Sequence, residues 1–265
     1  MMKKNILLVL TVITITIFSS CRKGDHNNPF GIFAGPHVKV FDGEAWTWIQ
    51  LDKEGHPERV AISLTDAVLN SVGDSGGHHL KTGHQEDTGH HDENNIVLEL
   101  HPKAEATIFK HAWLNWNPAG HPPPGIYDAP HFDFHYYTVS SEERETFLDS
   151  AKLDASLPTD YLPPNYEGGD VVPAMGKHYS DLTSPEFHGQ PFTQTYIYGS
   201  YDSKFVFVEP MVTLEFLKIT TNFERTLPQP AKFPQTGYYP TKMRVTKAHG
   251  VTDVILEGFV LRSAS

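Results

Sequence analysis

The chain predicts a mainly antiparallel β fold, a barrel or a sandwich with one or two short helices. Three observations carry this. About ten short runs rich in Val, Ile, Phe, Tyr and Trp follow one another, and such residues favour strands. Twenty glycines and twenty prolines cut those runs into short pieces. The strand-like runs do not alternate with helices, which argues against a parallel α/β sheet. No internal repeat is present.

In order, structure is expected to begin near Phe33. Val38 to Leu51 reads as one or two strands joined at Asp42-Gly43, and Lys53-Glu-Gly55-His56-Pro57 as a turn. Arg59 to Leu64 reads as a strand. Thr65 to Val72 reads as a short helix with Thr65 as its cap. Ile96–Leu100 and Ala106–Asn115 read as strands. Three consecutive prolines, Pro122 to Pro124, make a stiff loop that feeds the next strand at His131. Ser140-Ser-Glu-Glu143 is a capping box opening a helix through Ala151. Leu157 to Pro173 reads as a long connection. Thr193–Gly199 and Phe205–Glu209 form a hairpin about Tyr201-Asp202-Ser203-Lys204. Leu214 to Ile219 suits a short helix, and the chain closes with a hairpin around His249-Gly250.

The first residues are Met1-Met2-Lys3-Lys4, then an apolar run from Ile6 to Phe18, then Ser19-Ser20-Cys21. A basic start, a short apolar stretch and small residues make a secretory signal. The run is shorter than the roughly 20 residues that span a bilayer. Small residues before a cysteine resemble a bacterial lipobox. That resemblance implies a signal peptide over 1–20, cleavage before Cys21, lipid on its thiol and new amine, and a tether over 21–33. The protein is then expected in the cell envelope, anchored to a bacterial membrane and facing periplasm or cell surface. Cys21 is the only cysteine, so no disulfide forms within the chain and a core must hold residues 34–262 as a single domain. The formal net charge is -11, which disfavours nucleic acid as a partner.

Histidine is over-used, with 16 in 265 residues. Five of them (His78, His79, His84, His90, His91) fall in a glycine-rich polar stretch over 77–92 that reads as a loop insertion.

The most telling segment is His131-Phe-Asp133-Phe-His135-Tyr136. On a strand, successive side chains point to opposite faces. Phe132, Phe134 and Tyr136 therefore share a core face, and His131, Asp133 and His135 share the other. Such a row wants a metal ion, a proton to shuttle, or water. Two imidazoles and one carboxylate suit zinc, iron or manganese. His131 and His135 stand too far apart along the strand to clasp one ion unless both lean inward. His121, His178 and Glu209 are the further candidate ligands. Glu209 alternates with Phe205 and Phe207, so it is expected to be buried and to need a cation or donor. Asn115, Asn117, Trp113, Trp116, Tyr127, Tyr136 and Tyr137 could wall a ligand pocket, although aromatic residues more often fill a core. Nucleophile elbows, phosphate loops and His-Glu-x-x-His helices are missing, so hydrolase triads and nucleotide chemistry have no support.

Over Trp116-Asn-Pro-x-Gly-His121-x-Pro-x-Gly-Ile-Tyr127-Asp-x-Pro-His131-Phe-Asp-Phe-His135-Tyr-Tyr137 the chain resembles a bacterial domain family of unknown function. Its structural representative comes from Thermus and lies under sigma-factor control. The likeness continues at Val172-Pro-Ala-Met175-Gly-Lys-His178, Tyr198-Gly199-x-Tyr201-Asp202 and Glu209-Pro210-Met211. It implies a secreted, β-rich single domain that forms oligomers, and it implies no activity. Tyr179 stands where the family has tryptophan, and the stretch 77–92 looks like an insertion of this chain.

The leading expectation is a lipid-anchored envelope protein with a mononuclear divalent-metal site on the His-Asp-His strand. The rival is a non-enzymatic envelope protein that binds a small molecule or assembles as a homo-oligomer, with the row as a buried polar network.

Overall fold

The computed structural model describes residues 30–73 and 94–265. The signal segment, Cys21, most of the tether and the histidine-rich stretch 77–92 lie outside the described residues. The strands in chain order are β1 (Gly31–Ala34), β2 (Val38–Val40), β3 (Gly43–Leu51), β4 (Pro57–Thr65), β5 (Asn95–Leu98), β6 (His111–Asn117), β7 (His131–Tyr137) and β8 (Tyr166–Val172). They continue as β9 (Gly176–Asp181), β10 (Gln194–Tyr201), β11 (Lys204–Thr213), β12 (Asn222–Thr226), β13 (Gly237–Tyr239), β14 (Lys242–Ala248), β15 (Val251–Glu257) and β16 (Val260–Arg262). The α-helices are α1 (Asp66–Gly73), α2 (Ser141–Glu145), α3 (Ser150–Asp154) and α4 (Leu214–Ile219).

Two open antiparallel sheets make a sandwich rather than a closed barrel. The first has the order β1-β3-β4-β15-β14-β12, with β2 on β3; the second runs β5-β6-β7-β11-β10-β9-β8. A small pair, β13-β16, stands apart. Between the sheets, Ile49, Ile62, Val245 and Val254 of the first meet Leu114, Phe132, Phe134, Tyr136, Val208 and Val212 of the second. Burying each such side chain contributes about 1.5–3 kcal/mol. The expected apolar face of β7 is thus the inter-sheet face. Trp116 and Tyr136 belong to this core and not to a pocket wall.

The other face of the second sheet is covered as well. Tyr127, Tyr137, Phe147, Phe192, Ile197, Phe207 and Met211 form a second apolar cluster there. An antiparallel sheet usually leaves one face to water. Here Tyr127, Phe147, Phe187 and Phe192, from the connecting segments, pack onto it, and all seven residues of β7 are buried.

Three local expectations need correcting. The helix from Ser140 does not reach Ala151. Ser140 caps α2 by accepting from Glu143 N, but α2 ends at Glu145 and Asp149 caps a separate α3 by accepting from Ala151 N and Lys152 N. The segment 157–173 is not mere connection, because Tyr166–Val172 pairs with β9 across a bulge at Gly168–Val171. Thr65 does stand directly before α1, and its Oγ1 accepts from Glu44 N, which ties the start of α1 to β3. Phe205 does not share a face with Glu209: a register shift at Gly199/Ser200 places Phe205 in the inter-sheet core and leaves Phe207 on the outer face.

Candidate metal centre

The outer face of the second sheet is where the polar residues meet. In β6 and β7, Asn117 pairs with His131, Asn115 with Asp133 and Trp113 with His135. On the other side of β7, the pairs Tyr136–Val208 and Asp133–Met211 share one register, which sets Glu209 opposite His135. Gly199 of β10 stands opposite both His178 of β9 and Phe207 of β11. His178 thereby comes within reach of Glu209. His121 arrives from the proline loop. Gly120, with φ of 71°, lets that loop fold onto the Tyr127 carbonyl, which accepts from His121 N at 3.1 Å.

All six expected ligands are therefore brought together, but in two groups. His121, His131 and Asp133 make one; His135, His178 and Glu209 make the other. Within each group one ligand atom per residue lies within 4.8 Å of the others. The row on β7 is divided between them, as its strand spacing demands.

In the first group Asp133 is crowded with donors. Asn117 Nδ2 donates to Asp133 Oδ2 at 2.6 Å. His131 Nε2 stands 3.1 Å from Oδ1 and His121 Nε2 3.7 Å from Oδ2. Burial would raise the Asp133 carboxyl. The His121 and His131 contacts and charges outweigh it and hold the carboxyl well below the usual carboxylate range. His121 moves the opposite way: burial lowers it, and Asp133 more than compensates. This pattern is that of an ionic network.

His131 Nε2 and Asp133 Oδ1 still have no hydrogen-bond partner, and the second group carries that feature further. His135 is fully buried, and neither of its ring nitrogens has a hydrogen-bond partner. Glu209 is 1 % exposed and its Oε2 is also unpartnered. That oxygen lies 3.5 Å from His135 Nε2 and 3.7 Å from His178 Nε2. These separations are long for hydrogen bonds. They match ligand atoms gathered about one centre, which lie about 3–3.5 Å from one another. Burial pushes His135 down to about 3 and His178 to about 4, so both are neutral ligands at neutral pH. Burial, with the Asp133 charge, pushes Glu209 well up; a cation would reverse that.

The imidazoles are also pre-aimed. His131 Nδ1 donates to Ala129 O at 2.6 Å, and His178 Nδ1 to Asp170 O at 3.2 Å. Each bond fixes the tautomer and leaves Nε2 toward the carboxylates. Phe207 packs edgewise on His135 and His178, with ring centroids 5.0 and 5.1 Å away. The orienting carbonyls of Ala129 and Asp170, and Phe207, were not legible beforehand. The Gly168-Gly169-Asp170 run was the one available signal, since paired glycines in a strand mark a bulge.

A cavity of about 570 Å³ opens beside both groups, lined among others by Asn115, Asn117, His121, Tyr127, Asp133, His178 and Glu209. A scan against protein-family models finds no match for this chain, and neither do searches of curated proteins and of solved structures.

Proposed function

We propose that this chain is a metalloprotein of the bacterial envelope, lipid-anchored through Cys21, that holds one divalent ion at His135, His178 and Glu209. One observation carries the metal assignment: two buried polar atoms without a hydrogen-bond partner, Nε2 of His135 and Oε2 of Glu209, lie 3.5 Å apart, and that oxygen stands 3.7 Å from His178 Nε2. Buried polar atoms left unpaired are costly, on the order of 1–3 kcal/mol each. A cation satisfies the carboxylate and both Nε2 atoms together. Two imidazoles and a carboxylate suit iron, zinc or manganese. Three protein ligands beside a cavity are the arrangement of a catalytic ion, which supplies Lewis acidity or an activated water. The anchor rests on Ser19-Ser20-Cys21 after the apolar run.

A second reading is favoured by the first group. His131 donates through Nδ1 to Ala129 O and still approaches Asp133 Oδ1 at 3.1 Å through Nε2. That contact makes the two side chains part of a polar network and leaves the metal to the other group.

Elemental analysis of the purified, tag-free mature domain tests the assignment. About one transition-metal ion per chain is expected. His135→Ala with Glu209→Gln should abolish it, while His121→Ala should keep it. Bound ion also stabilises the fold by mass action, about 2.7 kcal/mol at a hundredfold excess over Kd, so a chelator should lower Tm in the wild type and not in the double variant. Wild-type protein that takes up no ion from added zinc, iron or manganese would hand the site to the network reading.

A further inference from the structure

We propose that the cavity beside the metal group binds a neutral, polyhydroxylated small molecule of the saccharide class. The inference deepens the metal reading and rests on it in one respect, the exclusion of cations. Its own foundation is Asn115. That side chain is 3 % exposed and lines the cavity. Its Nδ2 donates to Asn95 Oδ1 at 2.5 Å, and its Oδ1 has no hydrogen-bond partner. A buried amide oxygen of this kind asks for a donor from whatever fills the cavity.

The remaining wall narrows the ligand. Glu167 and Asp170 also line the cavity, and among the described residues its lining contains no lysine or arginine. Away from the ion, an anion would face the carboxylates of Asp133, Glu167 and Asp170 with no lysine or arginine in the lining to offset them. An ammonium group would face the bound divalent ion. Hydroxyl groups suit both constraints, because each donates to Asn115 Oδ1 or a carboxylate and accepts from a neighbour. Tyr127 and Phe187 add an aromatic side to the same cavity, against which the apolar face of a sugar ring packs. The volume falls within the roughly 300–1,000 Å³ usual for small-molecule sites.

The test is calorimetric titration of the zinc-supplemented mature protein with glucose, N-acetylglucosamine and cellobiose. Inorganic phosphate and spermidine are titrated in parallel. Saturable binding of at least one saccharide is expected, with neither ion binding more tightly. Asn115→Leu should weaken it about tenfold, the loss of one buried hydrogen bond, at unchanged zinc content. Glu167→Gln, an exposed position that cannot threaten the fold, should weaken it several-fold. Absence of heat from all three sugars at millimolar concentration overturns the proposal, and so does tighter binding of phosphate or spermidine. Zinc uptake without saccharide binding sinks this inference alone. Saccharide binding by protein that takes up no metal sinks the metal centre and leaves the saccharide assignment standing.

Discussion

At the scale of single residues, the chain shows what burial does to imidazoles. His111 looked unremarkable in the sequence, yet it is 5 % exposed and stacks on Tyr137 at 4.8 Å between centroids. Its Nδ1 donates to Val139 O at 2.9 Å, and its Nε2 has no hydrogen-bond partner. Burial pushes it down to about 4. An unfolded histidine titrates near 6.5. Between about pH 6.5 and 4 the unfolded chain therefore binds a proton that the folded chain refuses. Stability contributed by neutral His111 is full above that window and falls as pH drops through it, by on the order of 3 kcal/mol at its lower end. The expected outcome is a smaller loss of Tm from pH 7 to pH 5 in His111→Phe than in the wild type, both measured with chelator present. Equal losses would show that His111 gains its proton without unfolding. What was legible at this scale was residue type. His131, Asp133, His135, His121, His178 and Glu209 could all be named from spacing and neighbours. Their division into two groups could not, because no spacing along one strand states which residue of another strand stands beside it.

At the scale of elements, the division is made by register. Glu209 meets His135 because β11 pairs with β7 in the Tyr136–Val208 register, and His178 joins them because β9 and β11 both flank Gly199. The bulge at Gly199/Ser200 turns Phe205 to the inter-sheet core and leaves Phe207 on the outer face with Glu209. A Cβ at position 199 would overlap the Phe207 ring. Gly199→Ala is therefore expected to displace that ring, at about 1–3 kcal/mol of stability. Since Phe207 rests on both His135 and His178, metal content should fall with it. Full metal content at unchanged Tm would show that the ring has room to yield. Strands β3, β4, β7, β10, β11, β14 and β15 were legible because alternation or an unbroken apolar run marks them. Strands β8 and β9 were not, because Gly168 and Gly169 carry no periodic signal and a Tyr166–Val172 strand exposed along most of its length has none either. The break between α2 and α3 was equally hidden: Phe147, buried in the outer cluster, turns the chain where helix propensity alone would continue it.

At the scale of the whole molecule, a sandwich usually has one core, and this one has two. The inter-sheet core makes the domain, and the outer cluster makes a dry floor on which ionisable groups must pair or take an ion. No helix among the described residues is long and apolar enough to cross a membrane; the proposed anchor lies in the N-terminal segment instead. There β1 pairs with β3 from Gly31 onward, which leaves few residues between Cys21 and the sheet. A fully extended residue spans at most about 3.6 Å, so the domain would ride close to the lipid surface. One acyl chain holds a protein to a membrane only marginally, whereas several hold it stably. Lipid on both the thiol and the new amine of Cys21 would supply several. Cys21→Ser removes the thiol and with it the attachment. The variant should accumulate as uncleaved precursor or leave the membrane fraction after a salt wash, while wild-type protein remains with it until detergent is added. The salt wash separates anchoring from charge, since a chain of net charge -11 has little electrostatic hold on an anionic leaflet. Processed Cys21→Ser protein that still sediments wholly with membranes would refute the anchor and point to attachment through the folded domain itself.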